Sequence, residues 1–258
     1  MFKQNAFILG EIKGVKKERK KAQTTGKEYD QYSVTLVTAT EGVGMIVRKS
    51  VYNPDDEKPD FIVNKIANYE SMMDRLKNKE KIYGYVMIKP AMKDGKPVMY
   101  DKVSTYTTDA GKSGISVDAW VTEVPFEDTE DGTIFIFKSS TKTVAEAATN
   151  IEVDMLVTEK DDNRLSLIDN ETTDFPVTMD VYLKDGVENL ATLGQGYRLS
   201  LTVEKGKKMV AAQTADLGWD AEAKDTYAPD ILRVLQVGKI KGYVSDSISS
   251  SDDNSSLF

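Results

Sequence analysis

Any chemistry in this chain has to come from cations, carboxylates, hydroxyls and tyrosines, because the sequence has no cysteine and no histidine. Thiolate and imidazole metal sites, cysteine nucleophiles and serine–histidine triads are therefore excluded. The densest cationic segment is GVKKERKKAQTTGKE, with cations at Lys16, Lys17, Arg19, Lys20, Lys21 and Lys27. Such a cluster can neutralise phosphates and release counterions from a nucleic acid. A charged, solvated hairpin is the alternative interpretation.

Tyrosines alternate with cations in two later segments. In KIYGYVMIKP, period-two alternation predicts an aliphatic face and an opposite face formed by Tyr83, Tyr85, Met87 and Lys89. In GMIVRKSVY the same alternation predicts that Arg48 and Tyr52 share a face, and Tyr29 precedes them on another segment. Aromatic rings beside cations are typical of a surface that stacks bases and contacts phosphates. The alternative for each tyrosine is packing under a helix or a neighbouring domain.

The segments that carry these residues have strand patterns. Runs rich in Val, Ile, Thr and Tyr predict strands at 5–16, 28–39, 44–52, 81–92 and 96–106. Lys93 and Lys96 flank Asp94-Gly95, a hairpin signal between the last two strands, and both lysines are candidate phosphate contacts. Apolar spacings of three and four predict a helix from Asp60 to Lys77, with Asp60 as its cap.

Three strands, a helix and two strands are the element order of the oligonucleotide/oligosaccharide-binding (OB) barrel. The second half repeats this order more loosely, with strands predicted at 115–124, 133–139, 151–158, 163–169, 175–183 and 197–203. We also expect an extra hairpin within 115–139, a short helix at 187–193 and a hairpin turn at 204–207. The fold class is therefore mainly β, with two OB-like β-barrel domains in tandem at 1–110 and 115–244 and a linker at 109–114.

Charge is divided unevenly along the 258 residues. Residues 1–110 carry 20 Lys and Arg against 15 Asp and Glu, a balance of +5, whereas 111–258 carry 14 against 27, a balance of −13. This asymmetry favours contact of the first half with an anion. In an OB barrel the loop between strands one and two flanks the nucleic-acid groove, so we expect the basic segment to form that loop.

The last residues, 245–258, read SDSISSSDDNSSLF and predict a disordered acidic tail. Asp252 and Asp253 could meet a basic rim while Leu257, Phe258 and the free carboxylate enter a pocket of a partner. With FILGEIKG, the basic loop and YSVTLVTAT, this tail resembles the single-stranded DNA-binding proteins, whose OB domains precede an acidic tail with a hydrophobic tip. The chain departs from the bacterial members in its second β domain and its Ser-Leu-Phe end, which favours a bacteriophage-type protein.

The resemblance implies sequence-nonspecific binding of single-stranded DNA in phage DNA replication or recombination, with no enzymatic reaction, cofactor or metal. The implied partners are replication and recombination proteins recruited by the tail, and a homo-oligomer is possible. No transmembrane-length apolar run or signal-peptide core is present, so we expect a cytoplasmic protein. The alternatives are a structural or scaffold β-barrel protein of a virion and, less favoured, a Mg²⁺-dependent enzyme acting on nucleic acid.

Overall fold

A computed structural model describes residues 3–93, 96–98, 100–109, 113–169, 177–209 and 226–244. Asp252, Asp253, Leu257 and Phe258 of the acidic tail lie outside the described residues. Within them the protein is mainly β, which confirms the predicted class.

The described residues of the first part of the chain form nine strands and one helix. They are β1 (Lys3–Lys21), β2 (Glu28–Thr38), β3 (Gly44–Tyr52), α1 (Asp60–Lys77), β4 (Tyr83–Ile88), β5 (Ala91–Lys93), β6 (Lys96–Val98), β7 (Lys102–Thr107), β8 (Ser113–Asp118) and β9 (Thr122–Val124). The second part contains β10 (Phe126–Thr129), β11 (Gly132–Phe137), β12 (Ser140–Thr143), a short 3₁₀ helix (Ala145–Ala147), β13 (Asn150–Lys160), β14 (Arg164–Asp169), β15 (Val177–Tyr182), β16 (Gln195–Glu204), β17 (Lys208–Met209), β18 (Thr226–Tyr227) and β19 (Ile231–Val244).

Strand pairings in the first part close into a ring. β1 pairs antiparallel with β2 and β4, and β2 pairs antiparallel with β3. β8 runs parallel to β3. The next strand along the chain, β9, runs antiparallel to β4. Residues 113–124 therefore close the ring, whereas the sequence assigned this role to 96–106. Pro90 separates β4 from β5, because proline donates no ladder hydrogen bond, and the pairing described beyond it is the short β5–β6 pair in place of the predicted long hairpin.

A second ring of pairings follows the same order. β13 pairs with β14 and β16, β14 pairs with β15, and β19 runs parallel to β15 and antiparallel to β16. The predicted hairpin turn at 204–207 is wrong, because β16 pairs with the distant β19 and β17 pairs with β18. The predicted helix at 187–193 is also wrong. Val187 and Leu190 are exposed, so an amphipathic turn here would have no core to pack against.

The two rings share one continuous sheet. The beginning of β1, from Lys3 to Phe7, pairs antiparallel with the beginning of β13. Glu41, in the turn between β2 and β3, accepts hydrogen bonds of 2.9 Å from both the backbone N–H and the hydroxyl of Thr149. The backbone N–H of Asp180 on β15 donates a 2.7 Å hydrogen bond to the hydroxyl of Thr105 on β7. Backbone pairing and hydrogen bonds of side chains therefore hold the second ring against the first.

Residues 126–143 form a separate three-stranded sheet, β10–β11–β12, in place of the predicted hairpin. Phe135, at the centre of β11, is fully buried and belongs to a small apolar cluster with Leu9, Tyr83 and Val124. This sheet therefore covers part of the outer surface of the first ring.

Helix α1 has the predicted bounds and packs against the first ring. Tyr69 and Met72 are its buried residues, and the Tyr69 hydroxyl accepts a 2.7 Å hydrogen bond from the backbone N–H of Val121. The N-cap is Pro59 and no side-chain hydrogen bond caps the helix, so the expected Asp60 cap is corrected: Asp60 is the first helical residue, where its charge suits the helix dipole. Among the described helices, none combines the length and apolar character needed to span a bilayer.

Candidate nucleic-acid interface

The basic segment is mostly a strand and not the expected loop. β1 continues to Lys21, and its last residues pair with the start of β2, with Lys21 opposite Glu28. Of the six cations of this segment, Lys27 alone lies in the turn, which bends at Gly26 with φ of +65°. Because successive side chains of a strand point to opposite faces, the cations are divided between two surfaces.

One of these surfaces, here called the open face, is the outer side of β1, β2 and β3. Residues directly opposite one another in antiparallel strands share a face. The register places Lys20 opposite Tyr29 and Tyr29 opposite Tyr52, and it aligns Lys16, Ser33 and Arg48 in the same way. The open face is defined by these six residues: Lys16, Lys20, Tyr29, Ser33, Arg48 and Tyr52.

Tyr29 and Tyr52 form an aromatic pair at one end of the open face. Their ring centroids are 5.3 Å apart, and the planes are inclined by 38°. Tyr52 is 57% exposed, so one ring of the pair remains available to solvent. Rings in this position can stack on unpaired bases of any sequence, because every base has a π-face.

The two lysines of the open face contact polar side chains of the same sheet, and Lys20 also donates a 2.6 Å hydrogen bond to the side chain of Gln31. Lys16 and Lys20 both contact Glu18, at 2.5 and 3.2 Å, and these hydrogen bonds lower the pKa of Glu18. Exposed ion pairs of this kind contribute little stability and yield readily to a competing anion. The guanidinium of Arg48 has no hydrogen bond or ion pair with any described residue. Its fork of donors is therefore available for a phosphate.

Lys17 and Arg19 lie on the opposite surface and are neutralised by the protein. Both contact Asp30, which is 5% exposed, and Arg19 also contacts Asp55 at 3.2 Å. Burial alone would raise the pKa of Asp30, but the hydrogen bonds from Arg19 and Lys17 outweigh it and hold the pKa below its ordinary value. Lys17 and Arg19 therefore stabilise a buried carboxylate. Lys21 is on this side too but is exposed.

The face of β4 that was expected to be open is covered. Tyr83 is 9% exposed, with its ring centroid 4.8 Å from that of Phe126 and 5.0 Å from that of Phe135. Tyr85 packs in the same way against Phe7 and Phe137. The apolar run GTIFIF could have indicated a cover for these tyrosines, but not which face it meets.

The remaining predicted cations do not join the open face in the described structure. Lys89 is exposed just beyond β4 and borders the same surface as Phe7 and Met87, away from β2 and β3. Lys93 and Lys96 pair across the β5–β6 hairpin, where only the backbone is described.

A cleft that the sequence did not indicate lies beside Arg48. It has a volume of about 330 Å³ and is lined from the first ring by Ile46, Arg48 and Tyr106. Lys205 and Asp230 line it from the second ring. Lys205 is some 150 positions from Arg48 in the sequence, so no local pattern could have placed the two together.

A scan against protein-family models and a search of curated proteins found no match to this chain. Within the described ranges, no group of three or more carboxylates is placed to hold a metal ion.

Proposed function

We propose that each ring is an OB-type barrel. The strand order supports this: three antiparallel strands, a fourth paired with the first, and a fifth parallel to the third are present in both rings. In the first ring the fifth strand is residues 113–124, so the proposed domain boundary falls after Val124 and not near residue 110. OB barrels bind oligonucleotides on the face of strands two and three, which here is the open face.

We propose that the open face binds single-stranded DNA without sequence preference and without a chemical reaction. The observation that carries this proposal is the Tyr29–Tyr52 pair, with Tyr52 exposed, on the same surface as the guanidinium of Arg48, which pairs with none of the described residues. Stacking on such a ring contributes about 1–3 kcal/mol per base and does not depend on base identity. A duplex hides its base faces, so the same surface would bind it less tightly.

Phosphate contacts would come from the cations that the protein leaves available. Lys16, Lys20 and Arg48 lie on the open face, and Lys27 is exposed in the turn at its end. Lys21 starts from the opposite side of β1, but it is exposed beside the same turn. Five contacts predict a log–log salt slope of roughly −3.5 for a single strand, because each contact contributes about −0.7.

The experiment is a fluorescence titration of the full chain with oligo-dT at several salt concentrations, repeated with a duplex of the same length. Tight, salt-sensitive binding with preference for the single strand supports the proposal. Arg48→Ala should weaken binding, and Lys138→Ala, at an exposed position in the β11–β12 turn, is the matched control. A slope near zero or equal affinity for duplex would refute it. Mg²⁺-dependent degradation of labelled strands would indicate the alternative, an enzyme.

For residues 245–258 we propose recruitment of replication or recombination proteins. The support is the sequence: Asp252 and Asp253 can contact a basic rim, while Leu257 and Phe258 provide an apolar pair for a pocket. Phe258→Ala should weaken capture of a replication partner while leaving oligo-dT binding unchanged.

A further inference from the structure

The cleft beside Arg48 continues the open face towards the second ring. Ile46 lies two residues before Arg48 on the same side of β3 and is 36% exposed. β8 and then β7 extend the sheet beyond β3, and β7 carries Tyr106, which is 45% exposed. A strand crossing the open face from Tyr52 past Arg48 would therefore reach this cleft.

Close packing of two glycines fixes the walls of the cleft. The ring of Tyr106 lies against Gly114 on the paired strand, where an added Cβ would be 2.8 Å from the tyrosine hydroxyl. Gly206 approaches Ala228 so closely that a Cβ would lie 1.7 Å from the carbonyl oxygen. The Gly206 N–H also donates a 2.8 Å hydrogen bond to Asp230, which holds the turn that carries Lys205.

The groups in the cleft match the parts of one nucleotide. Tyr106 and Ile46 offer an aromatic ring and an aliphatic side chain to a base, and Arg48 and Lys205 offer charge to a phosphate. Asp230 disfavours a phosphate at its own end, so the phosphate belongs beside Arg48. A volume of about 330 Å³ is within the ordinary range for small-ligand sites.

We propose that this cleft is a nucleotide subsite, which receives one unstacked nucleotide at the end of the strand bound on the open face. This inference rests on the proposed function and adds a role for the acidic half: it supplies Lys205 to the DNA path. The sheet shared by β1 and β13 keeps Lys205 in the same cleft as Tyr106 before DNA binds.

The test compares oligo-dT of about 4 and about 16 nucleotides, the range covered by single OB domains. Tyr106→Ala should weaken binding of the longer strand at least about fivefold, whereas Tyr106→Phe should retain it. For the longer strand Lys205 is a contact additional to the five proposed phosphate contacts, so Lys205→Ala should reduce the magnitude of the salt slope of that strand by about 0.7. For the short strand, which fits on the open face alone, both changes should have little effect.

Tyr100→Ala and Lys184→Ala are the matched controls, because both residues are exposed and lie outside the cleft. If Tyr106→Ala and Lys205→Ala bind the longer strand with the affinity and salt slope of the wild-type chain, the subsite is refuted and the proposed function is unaffected. Equal losses of affinity for the short and the long strand would refute the position of the subsite at the end of the bound strand. If the wild-type chain binds neither strand, the proposed function fails and the subsite fails with it. If Tyr106→Ala does not fold, the salt slope of Lys205→Ala with the longer strand tests the subsite by itself.

Discussion

The division of the basic segment between two faces predicts that equal losses of charge have unequal effects on DNA binding. Two double variants each remove two positive charges. Lys20→Ala with Arg48→Ala changes the open face, whereas Lys17→Ala with Arg19→Ala changes the surface around Asp30. If DNA uses the open face, only the first pair should alter the salt dependence of binding.

The magnitude follows from the number of phosphate contacts. Five contacts give a slope of roughly −3.5, and loss of two leaves roughly −2.1. Between 50 and 200 mM salt the wild-type affinity should therefore fall about 130-fold, but that of the open-face variant only about 20-fold. The variant at Lys17 and Arg19 should keep the wild-type slope. It should instead lose about 1–3 kcal/mol of unfolding free energy, because the buried carboxylate of Asp30 loses its partners.

The assay is a fluorescence titration with oligo-dT at four salt concentrations, with urea unfolding of the same variants as the measure of stability. Equal reductions in slope for both double variants would refute the reasoning, because net charge and not the position of the cations would then govern binding. If only the Lys17 and Arg19 variant has a reduced salt slope, the DNA binds the surface around Asp30 and not the open face.

Four further variants each test a single feature. Tyr52→Ala should cost about 1–3 kcal/mol of DNA binding with an unchanged Tm. Tyr83→Ala should lower the unfolding free energy by about 3–5 kcal/mol because its ring is buried. A lower Tm for Tyr52→Ala, or weaker DNA binding with an unchanged Tm for Tyr83→Ala, would contradict these assignments. Asp30→Asn should destabilise the protein most at neutral pH. The pKa of folded Asp30 lies below its ordinary value of 3.8, so its contribution is present above that pH and is lost as the pH falls through the folded pKa; urea unfolding in acid should therefore show a smaller difference from wild type. Deleting residues 245–258 should raise apparent DNA affinity modestly at low salt, since three aspartates no longer compete for the cations; a fall in Tm instead would identify the tail as structural.

Local patterns predicted the elements whose side chains alternate regularly. β2, β3 and α1 have the expected positions, because alternation in YSVTLVT and the spacing of three and four in 60–77 are properties of short segments. The shared face of Arg48 and Tyr52 was predictable for the same reason. β1 extends further than expected because lysine-rich sequence has low strand propensity, and pairing with β2 overrides that preference.

The features that the sequence did not predict depend on contacts between residues that are distant along the chain. β19 has the alternation of Leu232 and Val234, but its partners β15 and β16 are distant in sequence. The burial of Tyr83 depends on Phe135, some 50 residues later. The cleft needs Tyr106 and Lys205 from different rings. None of these contacts has a local sequence pattern. Alternation therefore separated the two faces of β4 correctly, but it could not predict that the sheet β10–β11–β12 covers the face with Tyr83.

The most direct test of the central proposal is photocrosslinking of the full chain to an oligonucleotide in which 5-bromouracil replaces thymine, followed by peptide mapping. If the open face binds the single strand, crosslinks should concentrate in the peptides that contain Tyr29 and Tyr52, and Tyr52→Ala should remove those in β3. Crosslinks confined to the peptides that contain Tyr83 and Tyr85, or to the second ring alone, would contradict the account.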